Sequence, residues 1–358
     1  MPISAVDTIA LAFQHTKRQL LQPFRFGQWT RLALVGLLAG ELGSGGSFNV
    51  PSNFNPAQHG GSQHPLAQAL QKIEPAILGL LAVIIVSGLV LMVVLLYISS
   101  VMRFVLFDSV LTRECRVREG WARRQSTGWR YFLWQLGLMF LTFAAAVILL
   151  GVPAAFAFSA GWLTHARDHV IGLVLSGIVV FSLLFIFFVV VAVVHVLTKD
   201  FVVPQMALEE IGAIEGWRRL WVMIQVEKTS YAIYVGMKIV LAMGAAIAVG
   251  IATFILGLMV AIPVVGVIIG TVVAGKTAGL TWDTFTITAV VVAACVLFAI
   301  FMYLIAMISV PVIVFFPAYA MYFFAPRYRP LSLALYPPVA NVVTNPFPPD
   351  LPPTPAPA

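Results

Sequence analysis

The segment Gly270-Thr271-Val272-Val273-Ala274-Gly275-Lys276-Thr277 satisfies G-x-x-x-x-G-K-[ST], the loop whose backbone N–H groups cradle nucleotide phosphates. Such a loop needs a buried strand before it, a helix after it and a later acidic residue for magnesium. Here bulky β-branched residues fill the loop, apolar runs flank it and no strand ending in Asp follows, so no nucleotide site is expected. His165 and His169 stand at i,i+4, and His59 and His64 are also close in sequence, spacings that could clasp zinc. Neither pair has a third ligand nearby, so no metal and no other cofactor is expected. No nucleophile, oxyanion or acid–base set is visible, and the chain does not read as an enzyme. Ionisable groups in apolar runs are the remaining pointer to function. Arg31, Glu41, Arg103, Asp108, His195 and Lys238 all fall near the ends of such runs, where long side chains reach lipid headgroups. Packing could still draw Glu41 or His195 inward.

A second constellation is basic and aromatic. Phe104-Val105 is followed by Glu119-Gly120-Trp121-Ala122-Arg123-Arg124, and Phe201-Val202 by Glu215-Gly216-Trp217-Arg218-Arg219 after a similar gap. Position, order and gap agree, which reads as an internal repeat. A weaker copy opens the chain, where Val6, Ile9, Ala10, Phe13 and Leu20 share a helical face opposite Gln14, Lys17 and Arg18, before Phe26-Gly27-Gln28-Trp29. Val203-Pro204 and Val310-Pro311 also match. In the second loop Ile214, Trp217, Trp221 and Ile224 line one helical stripe, and Glu119/Arg123 and Glu215/Arg219 are set for i,i+4 ion pairs. Amphipathic helices with Trp at one offset suit the headgroup boundary. Glu119, Trp121, Arg123, Arg124, Glu215, Trp217, Arg218, Arg219 and Trp221 are therefore the candidate surface for lipid or a protein partner. The alternative is an anchoring belt without a ligand.

Val203-Pro204-Gln205-Met206-Ala207-Leu208-Glu209, then Gly212-Ala213-Ile214-Glu215-Gly216-Trp217-Arg218-Arg219-Leu220-Trp221, resembles the membrane domain beside some bacterial glycerophosphodiester phosphodiesterases and related multi-pass families. The specific likeness covers about 25 residues, with looser similarity in hydropathy from about residue 100 to 325. It implies an all-helical membrane bundle. It implies no hydrolysis, because the catalytic half of those proteins is a separate soluble barrel that no region here could form.

The elements that must carry these residues follow from composition. With 61% hydrophobic and 10% charged side chains in 358 residues, the chain lacks the polar surface of a water-soluble protein. Five runs exceed the roughly 20 apolar residues that cross a bilayer: Pro75–Phe107, Tyr131–Ala160, Val170–Leu197, Ser230–Pro263 and Phe285–Ala325. Trp29–Leu42 is a shorter sixth. Pro153, Pro263, Pro311 and Pro317 are expected kinks or breaks. Val264–Gly275 reads as a re-entrant or interfacial segment, or else the stretch from Ser230 makes two tight crossings. With six spans and the N-terminus inside, all of the 21 Lys and Arg residues except Lys72, Arg167 and Lys276 face the cytoplasm, as the positive-inside rule asks. The net charge of +7 then serves retention and anionic lipid rather than nucleic acid. Cys115 and Cys295 form no disulfide pattern, and the N-terminus does not read as a cleavable signal.

The expected fold is all-α: a polytopic protein of about six transmembrane helices, paired as three hairpins, with cytoplasmic interfacial amphipathic helices. An interfacial helix occupies 1–28, the bundle 29–325 with a flexible Gly/Asn-rich outer loop at 43–65, and a disordered Pro-rich tail 326–358. The expected location is a bacterial inner membrane with both termini cytoplasmic. The expected role is a non-catalytic scaffold or accessory protein, with membrane lipids or a protein at the inner helices or tail as partners. A transporter or channel for a small solute is the alternative.

Overall fold

Runs of Leu, Val, Ile, Ala and Phe can satisfy their backbone groups in lipid only as helix or closed barrel, and these runs lack the alternation of barrel strands. The computed structural model, which describes residues 4–41, 75–162, 169–277 and 284–336, is accordingly helical, with no strand among the described residues. Its helices are α1 (Asp7–Leu21), α2 (Phe26–Leu38), α3 (Pro75–Thr112), α4 (Val117–Ser159), α5 (Val170–Leu197), α6 (Val203–Glu209), α7 (Ala213–Val226), α8 (Lys228–Thr277), α9 (Thr284–Phe324) and α10 (Arg329–Leu335). A π-helical turn, Thr198–Val202, joins α5 to α6, and a 3-10 turn, Ala325–Arg327, joins α9 to α10.

Five helical stretches are long and apolar enough to cross a membrane: Gly79–Thr112, Val117–Ser159, Val170–Glu209, Lys228–Gly266 and Ile287–Arg327. The chain is a multi-pass membrane protein. The sixth expected span is α2, whose 13 residues reach only about 20 Å, short of the hydrocarbon core. Gly40, at φ +76°, ends it in a left-handed turn that a residue with Cβ would strain. The segment Val264–Gly275 neither re-enters nor turns back, because α8 continues through Pro263 as one helix of 50 residues. Likewise α4 runs through Pro153 and α9 through Pro311 and Pro317 without a break.

Among the described residues, burial in the long helices gathers at one end of each, with Ala157 of α4 the exception. The C-terminal part of α3, the N-terminal part of α4, the C-terminal end of α5, the start of α8 and the C-terminal part of α9 are packed. The remaining stretches, such as Leu80–Leu95 and Val170–Val190, leave their large apolar side chains exposed, as a lipid-facing surface would. This alternation of ends brings the connectors after α3, α5 and α9 to the packed side. There Phe201 is ringed by Tyr231, Tyr234, Phe323 and Phe324 at centroid distances of 5.0 to 5.9 Å. Tyr234 also stacks on Tyr319 at 5.2 Å.

Three sequence expectations change here. On α1 the buried face is Thr8, Ala12, His15, Thr16, Gln19 and Leu20; of the expected apolar face Leu20 is buried and Ile9 packs on the core, while Val6 and Phe13 stay exposed. On α7, Ala213, Gly216 and Leu220 are buried, so the expected stripe splits: Trp217 and Ile224 pack on the core, whereas Ile214 and Trp221 are exposed. The tail expected to be extended from Pro326 instead starts with the 3-10 turn and α10, where Leu331 is buried. Its remainder and the 43–65 loop lie outside the described residues.

Candidate functional site

Where the packed ends meet, five charged side chains are withdrawn from solvent. Glu41, just beyond α2, pairs with Lys199. Asp200 accepts hydrogen bonds from Lys238 and from the Tyr234 hydroxyl, the latter at 2.9 Å. Arg103 of α3 donates to the Tyr131 hydroxyl at 2.6 Å and to the Ala39 carbonyl at 3.3 Å, and its Nε has no partner among the described residues. Lys199 and Asp200 are adjacent, so on a regular helix they would point about 100° apart. They lie in the π-turn, from which Lys199 reaches Glu41 while Asp200 reaches α8. The cluster thus links α2, α3, α4, the π-turn and α8.

The cavity beside it measures about 30 Å³, with Leu106, Phe107, Val203, Pro204, Pro317, Ala320 and Met321 completing walls that contain Glu41, Arg103, Lys199 and Asp200. A space of that size holds about one water and no solute.

The groups expected to snorkel at span ends divide sharply. Glu41 and Arg103 are buried in the cluster, and Lys238 joins it through Asp200. Asp108 is gripped by Arg124, whose Nε and Nη2 reach its two oxygens at 2.7 and 2.8 Å while Nη1 donates to the Ala207 carbonyl. His195 stays exposed, and Arg31 is exposed with Nη1 3.5 Å from the Cys115 carbonyl. Burial pushes the Cys115 thiol above its ordinary value, which keeps it protonated.

The nine collar candidates also separate. Arg124 is buried in that clamp and faces no ligand. Glu119 pairs with Arg116, the residue that caps the start of α4, at 3.4 Å instead of with Arg123. Arg123 opens onto a groove with Asp108, Glu114 and Glu119. Trp121 packs edge-on against Tyr97. Glu215 and Arg219 form the expected i,i+4 pair at 3.1 Å, and Arg219 also binds Glu209. Trp217 donates its indole N–H to Thr198 at 3.0 Å. Only Arg218 and Trp221 present an open basic–aromatic pair, beside a groove of about 470 Å³ lined by Val222, Met223, Val226, Glu227, Tyr231 and Arg327.

Sequence reasoning missed Tyr131, Lys199, Asp200 and Tyr234. Lys199-Asp200, set between apolar Leu197 and Phe201, was the available signal. Of the histidines spaced for zinc, His59, His64 and His165 lie outside the described residues, and His169 stacks on Trp162 at 6.0 Å. The nucleotide-loop match Gly270–Thr277 is continuous helix at the end of α8, which gives phosphate no loop to sit in.

No curated protein and no solved structure matches the chain. One family model does, over residues 3–334, which take in α1 to α9 and all but the last residue of α10, and the chain therefore belongs to that family of unknown function, DUF7544.

Proposed function

We propose that the protein is a non-catalytic scaffold or accessory protein of a bacterial inner membrane, with both termini cytoplasmic, whose packed end holds membrane lipid or a protein partner. The observation that carries this reading is how the buried charges are used. Glu41–Lys199, Asp200–Lys238, Asp108–Arg124 and Arg327–Glu227 each join separate stretches of chain. Fixed ties of this kind suit a frame. A conducting path needs a chain of exchangeable sites, and the adjoining cavity has room for about one water. The transporter reading is correspondingly weaker.

Orientation is supported by the connectors gathered at the packed end, which carry Arg113, Arg116, Arg118, Arg218, Arg219, Lys228, Arg327 and Arg329. The repeat reading is supported by two matching close approaches. A Cβ on Gly120 would meet Val105 Cγ1 at 3.1 Å, and one on Gly216 would meet Val202 Cγ1 at 2.8 Å. These are the same positions of the two sequence copies.

The experiment is purification with native lipid followed by mass spectrometry of the intact complex. The wild-type protein should retain phospholipid, and Arg218→Ala with Trp221→Ala should retain less while inserting normally. A protein that arrives free of lipid, or that carries one stoichiometric water-soluble solute, overturns the reading.

A further inference from the structure

A second basic pocket lies away from both the ionic cluster and α7. It is formed where α1 ends, α2 begins and α3 gives way to the turn before α4. Its volume is about 380 Å³, and Arg18, Arg25, Arg113, Glu114, Gln19, Gln22 and Gln28 contribute to its wall. That size is within the usual range for small-molecule sites.

The charges in this wall are out of balance. Glu114 is already paired with Arg116 at 3.0 Å. Arg18, Arg25 and Arg113 make no ion pair among the described residues, so three arginines without a counter-charge line one space. The frame is fixed from behind: Gln28 donates Nε2–H to the Arg113 carbonyl at 2.7 Å, and Gln19 donates Nε2–H to the Ser109 carbonyl at 2.9 Å. Gln19 is 4% exposed, and its Oε1 has no hydrogen-bond partner among the described residues. Gln19 thus belongs to the buried frame of the pocket, behind its open face.

Guanidinium forks match tetrahedral oxyanions in geometry as well as charge. We propose that this pocket binds a phosphate-bearing ligand through Arg18, Arg25 and Arg113. The phosphate belongs either to a lipid headgroup or to a soluble phosphate compound. This inference does not rest on the scaffold reading, since a transporter could carry the same site.

Calorimetry on the detergent-purified full chain tests it, with inorganic phosphate, dihexanoyl phosphatidic acid and dihexanoyl phosphatidylcholine as probes. Saturable binding of phosphatidic acid well below the concentration of phosphate required points to the lipid source. Phosphate binding as tight as phosphatidic acid points to the soluble one. In either case Arg18→Gln with Arg25→Gln should weaken binding about ten-fold or more. Arg18→Lys with Arg25→Lys, which keeps charge but loses the forks, should fall between. Arg130→Gln, on α4 and outside the pocket's wall, should bind as the wild type does. The proposal is overturned if phosphatidylcholine binds as well as the anionic probes, if neither anionic probe binds, or if the double Gln variant is unchanged. It is also overturned if Arg130→Gln loses as much affinity as the double variant, since that would mean unspecific attraction. Loss of lipid from α7 variants alone leaves this pocket's result untouched, so the two readings fail separately.

Discussion

At the scale of single residues, the buried ion pairs make the sharpest predictions. Removing one partner of a buried pair strands the other, whereas replacing both with apolar groups is often neutral. Glu41→Leu or Lys199→Met alone should lower stability by about 3 kcal/mol, and the double variant should regain most of it, read as thermal unfolding in detergent. An equal loss in the double variant would mean that the pair does more than tie helices. Arg124→Lys should behave much like Arg124→Ala, because a single ammonium cannot span both Asp108 oxygens and the Ala207 carbonyl. His15 gives a pH prediction. Its Nε2 lies 3.0 Å from the Val110 carbonyl, which can only accept, so Nδ1 accepts from the Tyr322 hydroxyl at 3.1 Å. Burial, with Arg113 and Arg18 adding to it, holds the imidazole below its ordinary value of 6.5. The neutral ring therefore contributes stability that is complete above pH 6.5 and is lost as pH falls toward the folded value. Between pH 7 and pH 5 the wild type should lose more thermal stability than His15→Asn, and parallel curves would remove His15 as the cause.

At the scale of elements, close helix contact depends on particular glycines. A Cβ on Gly128 would lie 2.6 Å from Val101 Cγ2 and 3.0 Å from the Val101 Cα, and backbone cannot swing aside. Gly128→Ala should cost about 1–3 kcal/mol. Gly137, on the same helix with nothing within 4 Å, should gain up to about 1 kcal/mol on the same change. Melting temperatures of the two variants in one detergent decide it. The long spans were legible because apolarity alone demands them. The short reach of Trp29–Leu42 was legible too, but the left-handed turn at Gly40 that ends α2 was not, since the sequence there shows only a glycine before Glu41. The ionic cluster was half legible: Glu41, Arg103 and Lys238 stood out as charges near apolar runs, but their partners depend on an extra residue of winding at Thr198–Val202 that leaves no trace in composition. Arg123 and Arg124 are interchangeable in the sequence, and only the rotation of α4 against α3 and α6 makes the second a clamp and the first a surface group.

At the scale of the whole molecule, polar packing is concentrated at one end and the apolar lengths are left to the solvent that suits them. Trp129 and Trp221 are both more than half exposed, and both sit on helices that border the packed end. Side chains of this kind prefer the headgroup level. Single-Trp proteins retaining either one should be quenched more by lipids brominated near the headgroup than by those brominated near the chain end. The reverse order would place the packed end deeper in the bilayer than its charges allow. The π-turn carries a consequence for how such a molecule can vary. Each substitution in Thr198–Val202 alters one contact, but deleting a single residue there would restore ordinary winding and rotate everything upstream relative to α6. Lys199 or Asp200 would then swing toward hydrocarbon, so relatives that share this frame should tolerate exchanges of side chain in that stretch far better than any change in its length.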